Sequence, residues 1–231
     1  MVIILVKMPA RIITWDYVVE LCKKLAKKIR EEGYKPDVII AIARGGYVPA
    51  RLLCDYLGVT DLLSIKVEHW LETGKAEKEA KITYPFLYDL SNKKVLIVDD
   101  ICDTGDSFII AQEHVRKNSN PAIIKTAAMQ IIPATSKFTP DFVVEELKSW
   151  EWQLYPWCDY EDKTNLIKRI MKEIPKSEPW TLDEIKAKFK EYYGVEFTVR
   201  ELEEVMDYME WAGIVEAIST DMGKKYILKA E

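Results

Sequence analysis

Apolar positions along this chain change their period several times, and each change marks an element. Val18, Cys22, Leu25 and Ile29 recur at helical spacing over 16–32, with Thr14 placed to cap the start and Gly33 to end it. Directly afterwards Val38-Ile39-Ile40-Ala41-Ile42-Ala43 is an unbroken apolar run, the pattern of a strand buried on both faces. A second helix is predicted over 49–57, stopping at Gly58. A second buried strand, Val95-Leu96-Ile97-Val98, runs into Asp99 and Asp100, and a helix follows over 107–117. Residues 122–129 and 142–145 read as further strands. Strands alternating with helices predict an α/β fold, a mostly parallel sheet flanked by helices, where ligands gather at the carboxyl ends of strands.

The alternation stops near Pro175-Lys176-Ser177-Glu178-Pro179, where two prolines in five residues interrupt helix and sheet alike. This predicts one domain over 1–175 and a smaller α+β domain over 176–231. Within the latter, Thr181-Leu182-Asp183-Glu184 reads as a capping box opening a helix to about residue 193. A second helix over 199–211 and two strands, 214–218 and 225–228, follow. Helix, helix, hairpin is a winged-helix-like order.

Charge sharpens the division. The chain of 231 residues has net charge −5, and residues 176–231 hold 8 basic against 13 acidic side chains, which accounts for all of it. A winged helix raises the possibility of a DNA-binding regulator. Its second helix, however, carries Glu201, Glu203, Glu204, Asp207 and Glu210 with Arg200 its single cation, so DNA phosphates would be repelled. A dimerisation or lid-supporting module is the favoured reading, in a homodimer or higher homo-oligomer with no nucleic-acid partner.

Other class signals are brief. With 48% hydrophobic residues a sizeable core can form. The apolar run Val2 to Val6 is too short to span a bilayer and lacks the flanks of a signal peptide, so no membrane partner is expected. Cys22, Cys54, Cys102 and Cys158 have no paired spacing and only His69 and His114 beside them, which predicts reduced thiols in a cytoplasmic setting and no zinc site. Abundant Lys and Glu with three glutamines fit a hot habitat.

Two strand ends carry chemistry. At the first, Arg44-Gly45-Gly46, paired glycines let a backbone approach a ligand, and Arg44 offers a fork of donors for phosphate oxygens. The second is Asp99-Asp100-Ile101-Cys102-Asp103-Thr104-Gly105-Asp106-Ser107. Residues Asp103, Thr104, Gly105, Asp106 and Ser107 would present successive N–H groups, two hydroxyls and a helix N-terminus to a phosphate. Asp99 and Asp100 could accept hydrogen bonds from vicinal ribose hydroxyls and help to hold Mg²⁺.

The segment from Val95 to Ser107 closely resembles the 5-phosphoribosyl-1-pyrophosphate (PRPP) signature of type I phosphoribosyltransferases. Arg44-Gly45-Gly46 resembles their pyrophosphate loop, in which the peptide before the first glycine is often cis. Ile65-Lys66-Val67-Glu68-His69-Trp70 looks like the strand leading into the family's catalytic loop, which would then be 72–81. Trp152-Gln153-Leu154-Tyr155-Pro156-Trp157 resembles the base-binding segment of microbial and archaeal 6-oxopurine members. The resemblance covers about residues 12–160. It implies transfer of a phosphoribosyl group from PRPP to a purine, with Mg²⁺, in purine salvage. Arg44, Gly45 and Lys66 would meet pyrophosphate, Asp99 and Asp100 the ribose, and residues 103–107 the 5′-phosphate. Trp152 would stack on the base, with Gln153 beside it, and Asp103 would exchange a proton with purine N7.

Two positions depart from the family: Cys158 stands where a Glu commonly follows Pro-Trp, with no physical account of the change, and the other bears on the base. Where 6-oxopurine members place a lysine that donates to O6, the match through Pro133-Ala134 puts Ile132. An isoleucine cannot donate, which tilts the expectation towards adenine over hypoxanthine, guanine or xanthine; Lys137 is near enough in sequence to take the missing role. The other class open at this point is a PRPP- or purine-sensing regulator.

Overall fold

The computed structural model describes residues 8–72, 75–84, 86–174, 176–221 and 223–229, with side chains left out at 69–72 and 75–80. Packing divides the chain into two compact units, one made of 14–71 and 75–150, the other of the described residues before Thr14, Glu72, and the described residues from Glu151 onward.

The first unit is the α/β layer structure. Its elements are α1 (Trp15–Glu31), β2 (Val38–Ala43), α2 (Tyr47–Leu57), β3 (Asp61–Glu72), β4 (Lys75–Ile82), β5 (Lys94–Cys102), α3 (Asp106–Ser119), β6 (Ile123–Ile131) and β7 (Phe142–Glu146); β1 (Ala10–Ile12) belongs to the other unit. Thr14 caps α1 by accepting from the Tyr17 N–H at 3.3 Å. The helix buries Val18, Leu21, Cys22, Leu25, Ala26 and Ile29, a stripe at helical spacing. The sheet order is β4-β3-β2-β5-β6-β7, and β2 pairs in parallel with both β3 and β5, as β5 does with β6 and β6 with β7. All six residues of β2 are buried, as its unbroken apolar run requires. Val38, Ile40 and Ile42 enter the core beneath α3, whereas Ile39 and Ala41 enter the one beneath α1 and α2.

Chain order reverses between β2 and β5. From β2 the chain crosses to β3 on one side, and from β5 to β6 and β7 on the other. The carboxyl ends of β2 and β5 therefore lie side by side at a topological switch point, the crevice where open α/β sheets hold ligands.

Of the run 72–81, expected as the family's catalytic loop, residues 73–74 lie outside the described residues and the rest is extended. Glu72 ends β3, and residues 75–81 lie in β4, an edge strand. Alternating Lys and Glu suit a charged sheet edge as well as a solvated loop, so composition could not separate the two.

In the second unit β1 pairs in parallel with β8 (Trp152–Leu154). After it come α4 (Asp159–Glu173), α5 (Leu182–Tyr193), α6 (Val199–Trp211), β9 (Val215–Thr220) and β10 (Gly223–Leu228). The expected capping box forms, and Thr198 with Glu201 makes a second one at α6. The boundary expected near Pro175 lies inside this unit, because α4 packs on α5 and α6. Lys163 of α4 is buried, with Nζ 2.7 Å from Asp159 and 4.3 Å above the Phe197 ring. On α6 the exposed residues Glu203, Glu204, Asp207 and Glu210 form an acidic surface, and Lys224 of the hairpin lies 3.2 Å from Asp207 and 3.1 Å from Glu210.

Candidate active site

At the end of β2 the Ala43–Arg44 peptide is cis, one bond ahead of the peptide adjoining Gly45. The turn then closes through Gly46 N–H to Ile42 O at 2.8 Å and Tyr47 N–H to Arg44 O at 3.2 Å. Both glycines are required by space. A Cβ on Gly45 would stand 2.4 Å from Asp100 Oδ2, and one on Gly46 would stand 2.4 Å from Val98 O and 2.6 Å from Ile42 O. Lys66 lies opposite Ala43 in the β2–β3 register, with Nζ 3.6 Å from Glu68 Oε1. Gly45 and Asp100 thus meet at adjoining strand ends, with Arg44 next to Gly45 and Lys66 in mid-β3 beside the last residue of β2.

On β5 the backbone is held by its own acids. The Asp100 N–H donates to Asp99 Oδ1 at 3.0 Å, and the Ile101 N–H to Asp100 Oδ1 at 2.8 Å. Loss of solvent, and then the neighbouring Asp100 charge, push the Asp99 carboxyl well above its usual range, against the pull of the Asp100 N–H and then the Gly46 N–H. A carboxyl raised in the folded state binds its proton more tightly there than when unfolded. Its ionisation therefore costs stability as pH rises above the ordinary carboxylate range, and that loss disappears in acid. Asp99→Asn should accordingly unfold at higher urea than the wild type at pH 7, with the gap closing as pH falls towards about 4. Urea titrations across that range give the sign, and a variant less stable at neutral pH would contradict the assignment.

The next five residues make the turn into α3. Gly105 adopts φ 86°, and a Cβ there would stand 2.5 Å from Phe138 Cβ. Thr104 Oγ1 accepts from the Asp106 N–H at 3.3 Å. Asp106 and Ser107 are the first two residues of the helix, where N–H groups lack intrahelical acceptors and suit an anion. Asp103 sits at the mouth of this turn with both carboxylate oxygens engaged. Thr135 Oγ1 donates to Oδ1 at 2.6 Å, and Trp150 Nε1 donates to Oδ2 at 3.1 Å. Neither donor was recognised in the sequence, where they stand 32 and 47 residues away with no spacing that ties them to Asp103.

Ile132 directly follows β6, only 1% exposed and with its N–H bonded to Cys102 O at 3.0 Å. Lys137, considered above for the missing base contact, has its Nζ 3.5 Å from Asp106 Oδ1 at the start of α3. Trp152 and Gln153 belong to the other compact unit, on β8. Gln153 is buried there, with Nε2 donating to Glu151 O at 3.2 Å.

Asp99 and Asp100 are hard oxygen donors of the kind Mg²⁺ takes. Among the described residues no group of three or more His, Cys, Asp or Glu could hold a metal alone. Since Mg²⁺ keeps several waters and takes substrate phosphates, two carboxylates fit an ion that arrives with a diphosphate.

Comparison with known proteins identifies the family. Residues 11–161 match the family described as phosphoribosyl transferase domain. The xanthine-guanine phosphoribosyltransferase of Gluconobacter oxydans is 28% identical over 145 residues, 63% of this chain and 82% of that protein. The crystal structure of purine phosphoribosyltransferase from Pyrococcus horikoshii is 36% identical, covering 64% of this chain and 93% of that one at TM-score 0.55. A hypothetical protein of Neisseria gonorrhoeae, solved with bound ppGpp, is 25% identical at TM-score 0.56, covering 65% of this chain and 90% of that one. The chain is a member of the phosphoribosyl transferase domain family.

Proposed function

We propose that the protein transfers the 5-phosphoribosyl group of PRPP to a purine, releasing pyrophosphate and a nucleoside 5′-monophosphate. The carrying observation is the convergence of Arg44, Gly45, Lys66, Asp100 and the turn 103–107 at the switch point of the sheet. In the reaction the bond from ribose C1′ to pyrophosphate oxygen breaks as the bond to purine nitrogen forms. Positive charge builds on the ribose and negative charge on the departing diphosphate, and fixed charges placed for that change lower the barrier. Arg44 and Lys66 neutralise the diphosphate, and bound Mg²⁺ supplies further charge to it. Asp99 and Asp100 accept from the ribose hydroxyls. The N–H groups of 104–107 take the 5′-phosphate, and Asp103 receives a proton from the base at N7.

For the base, the finer reading is adenine. It is supported by Ile132, apolar and buried where 6-oxopurine members use a lysine, and by Lys137, whose ammonium stands beside Asp106. The relatives' names favour a second reading, since the Gluconobacter protein is named for xanthine and guanine. With PRPP and Mg²⁺ and four bases in parallel, adenine should exceed hypoxanthine, guanine and xanthine in kcat/KM by about tenfold or more, the discrimination open to a site that pairs a base edge. A faster 6-oxopurine would overturn adenine alone, and no turnover with any purine would overturn the transfer itself. The acidic surface of α6 supports an enzyme over a DNA-binding regulator, because it would meet phosphates with like charge.

A further inference from the structure

The turn 103–106 is matched almost residue by residue by the segment 135–138 that follows β6. Thr135 Oγ1 donates to Asp103 Oδ1 at 2.6 Å, and the Lys137 N–H donates to Thr104 O at 2.9 Å. Phe138 fills the space where Gly105 would carry a side chain, and it stacks on Phe108 of α3 at 5.5 Å. Lys137 Nζ reaches Asp106 Oδ1 at 3.5 Å.

Asp106 is the unusual member of this set. It is the first residue of α3, and its own N–H, which donates to Thr104 Oγ1 at 3.3 Å with the turn empty, is among those that the phosphate reading turns to the ligand. A carboxylate suits a helix N-terminus when no ligand is there. Once a phosphate dianion occupies the same N–H groups, the carboxylate becomes a like charge at short range and opposes binding. Some cation must offset it. Lys137 is the lysine in contact with Asp106, its side chain is 71% exposed, and its backbone is pinned to Thr104, so the ammonium is anchored at the turn and free to pivot on a flexible stem.

We propose that Lys137 is a cation of the 5′-phosphate subsite. With the turn empty, its ammonium pairs with Asp106. With a phosphate monoester bound, it is shared between Asp106 and the phosphate, cancelling the repulsion that the acid would otherwise exert. This rests on the reading of 103–107 as the 5′-phosphate turn, and it gives Lys137 to the phosphate rather than to the base.

The test is calorimetric binding of AMP and IMP, each against adenosine or inosine, to the full chain. The ratio of nucleotide to nucleoside affinity isolates the phosphate. Lys137→Ala should lower that ratio by about ten- to hundredfold, the range for a hydrogen bond to a charged group, and should flatten its dependence on salt. Lys137→Arg should retain most of it. Adding Asp106→Asn to Lys137→Ala should recover a large part of the loss, because the opposing charge has gone with the compensating one. Circular dichroism and melting of each variant, compared with the wild type, show that the exposed substitution leaves the fold intact. An unchanged ratio in Lys137→Ala would reduce Lys137 to a surface ion pair and overturn the proposal. So would an equal loss for nucleotide and nucleoside, which would mean an effect on the base or the fold. A wild type that binds nucleotide no better than nucleoside would instead overturn the phosphate reading of the turn, and the proposal with it.

Discussion

Asp103→Asn should lower kcat by about 10²–10⁴-fold, the contribution of a positioned general acid or base, with the affinity for PRPP within about threefold of wild type. The surroundings make this a clean substitution. Asparagine keeps one carbonyl oxygen for the Trp150 indole, and its amide can donate to Thr135 Oγ1, whose own proton has the Asp103 carbonyl at 3.3 Å and the Ile132 carbonyl at 3.4 Å to turn to. The turn therefore keeps its shape while the group that accepts a proton is lost. Steady-state rates give kcat, and calorimetric titration of PRPP gives the affinity. A variant that turns over at the wild-type rate removes Asp103 from proton transfer. A variant that loses PRPP affinity as well shows that the carboxylate holds the turn together.

Gly46→Ala should cost more than about 3 kcal/mol of unfolding free energy, beyond the usual penalty for overpacking. Gly46 has an ordinary φ of −66°, so conformational freedom is not its purpose. Its added methyl would meet backbone at Val98 and Ile42, in two strands whose positions the sheet sets, and neither can give way. Gly45→Ala makes an informative contrast, because the atoms in the way belong to the Asp100 side chain, which can rotate. That variant should fold but lose affinity for PRPP. Gly58→Ala serves as the control. Its φ is 67° with nothing within 4 Å of the added methyl, so only a left-handed backbone penalty of about 1–2 kcal/mol applies. Urea unfolding of the three variants should give the order Gly46 far below Gly58, and an equal cost at the two positions would show that the strand ends can yield.

Much of the first unit was legible because each element has one dominant cause. The buried run of β2 and the capped stripe of α1 follow from period alone. The end of β5 was not legible. Val98 closes the unbroken apolar run, yet the strand runs on through two acids to Cys102, because Asp99, Ile101 and Cys102 find partners in Ala128, Gln130 and Ile131 of β6. A polar strand end is specified by the neighbour it pairs with and leaves no mark in its own composition. Helix α4 was missed for a related reason. Its buried face holds Asp162, Lys163 and Thr164 beside Leu166, Ile167 and Ile170, so no clean apolar stripe appears in the sequence. Lysine can lie there because its stem packs as hydrocarbon while its ammonium reaches Asp159. In the candidate site the motifs announced the groups on β2 and β5. Thr135 and Trp150 became visible only once the strands were ordered, since the fold alone brings them to Asp103.

The segment after β6 has a consequence for how this chain can vary in length. Residues 133–139 look like a place where insertions and deletions pass unnoticed, since they include Pro133, Ala134, Thr135 and Lys137, all exposed. Yet Thr135, Lys137 and Phe138 each answer to a particular residue of the turn 103–106. One added or deleted residue would shift every one of those pairings at once, much as a slipped register turns a strand inside out. The number of residues between Ile132 and Phe142 is therefore set by the turn it backs, and this exposed surface segment is held to length as tightly as an element of the core.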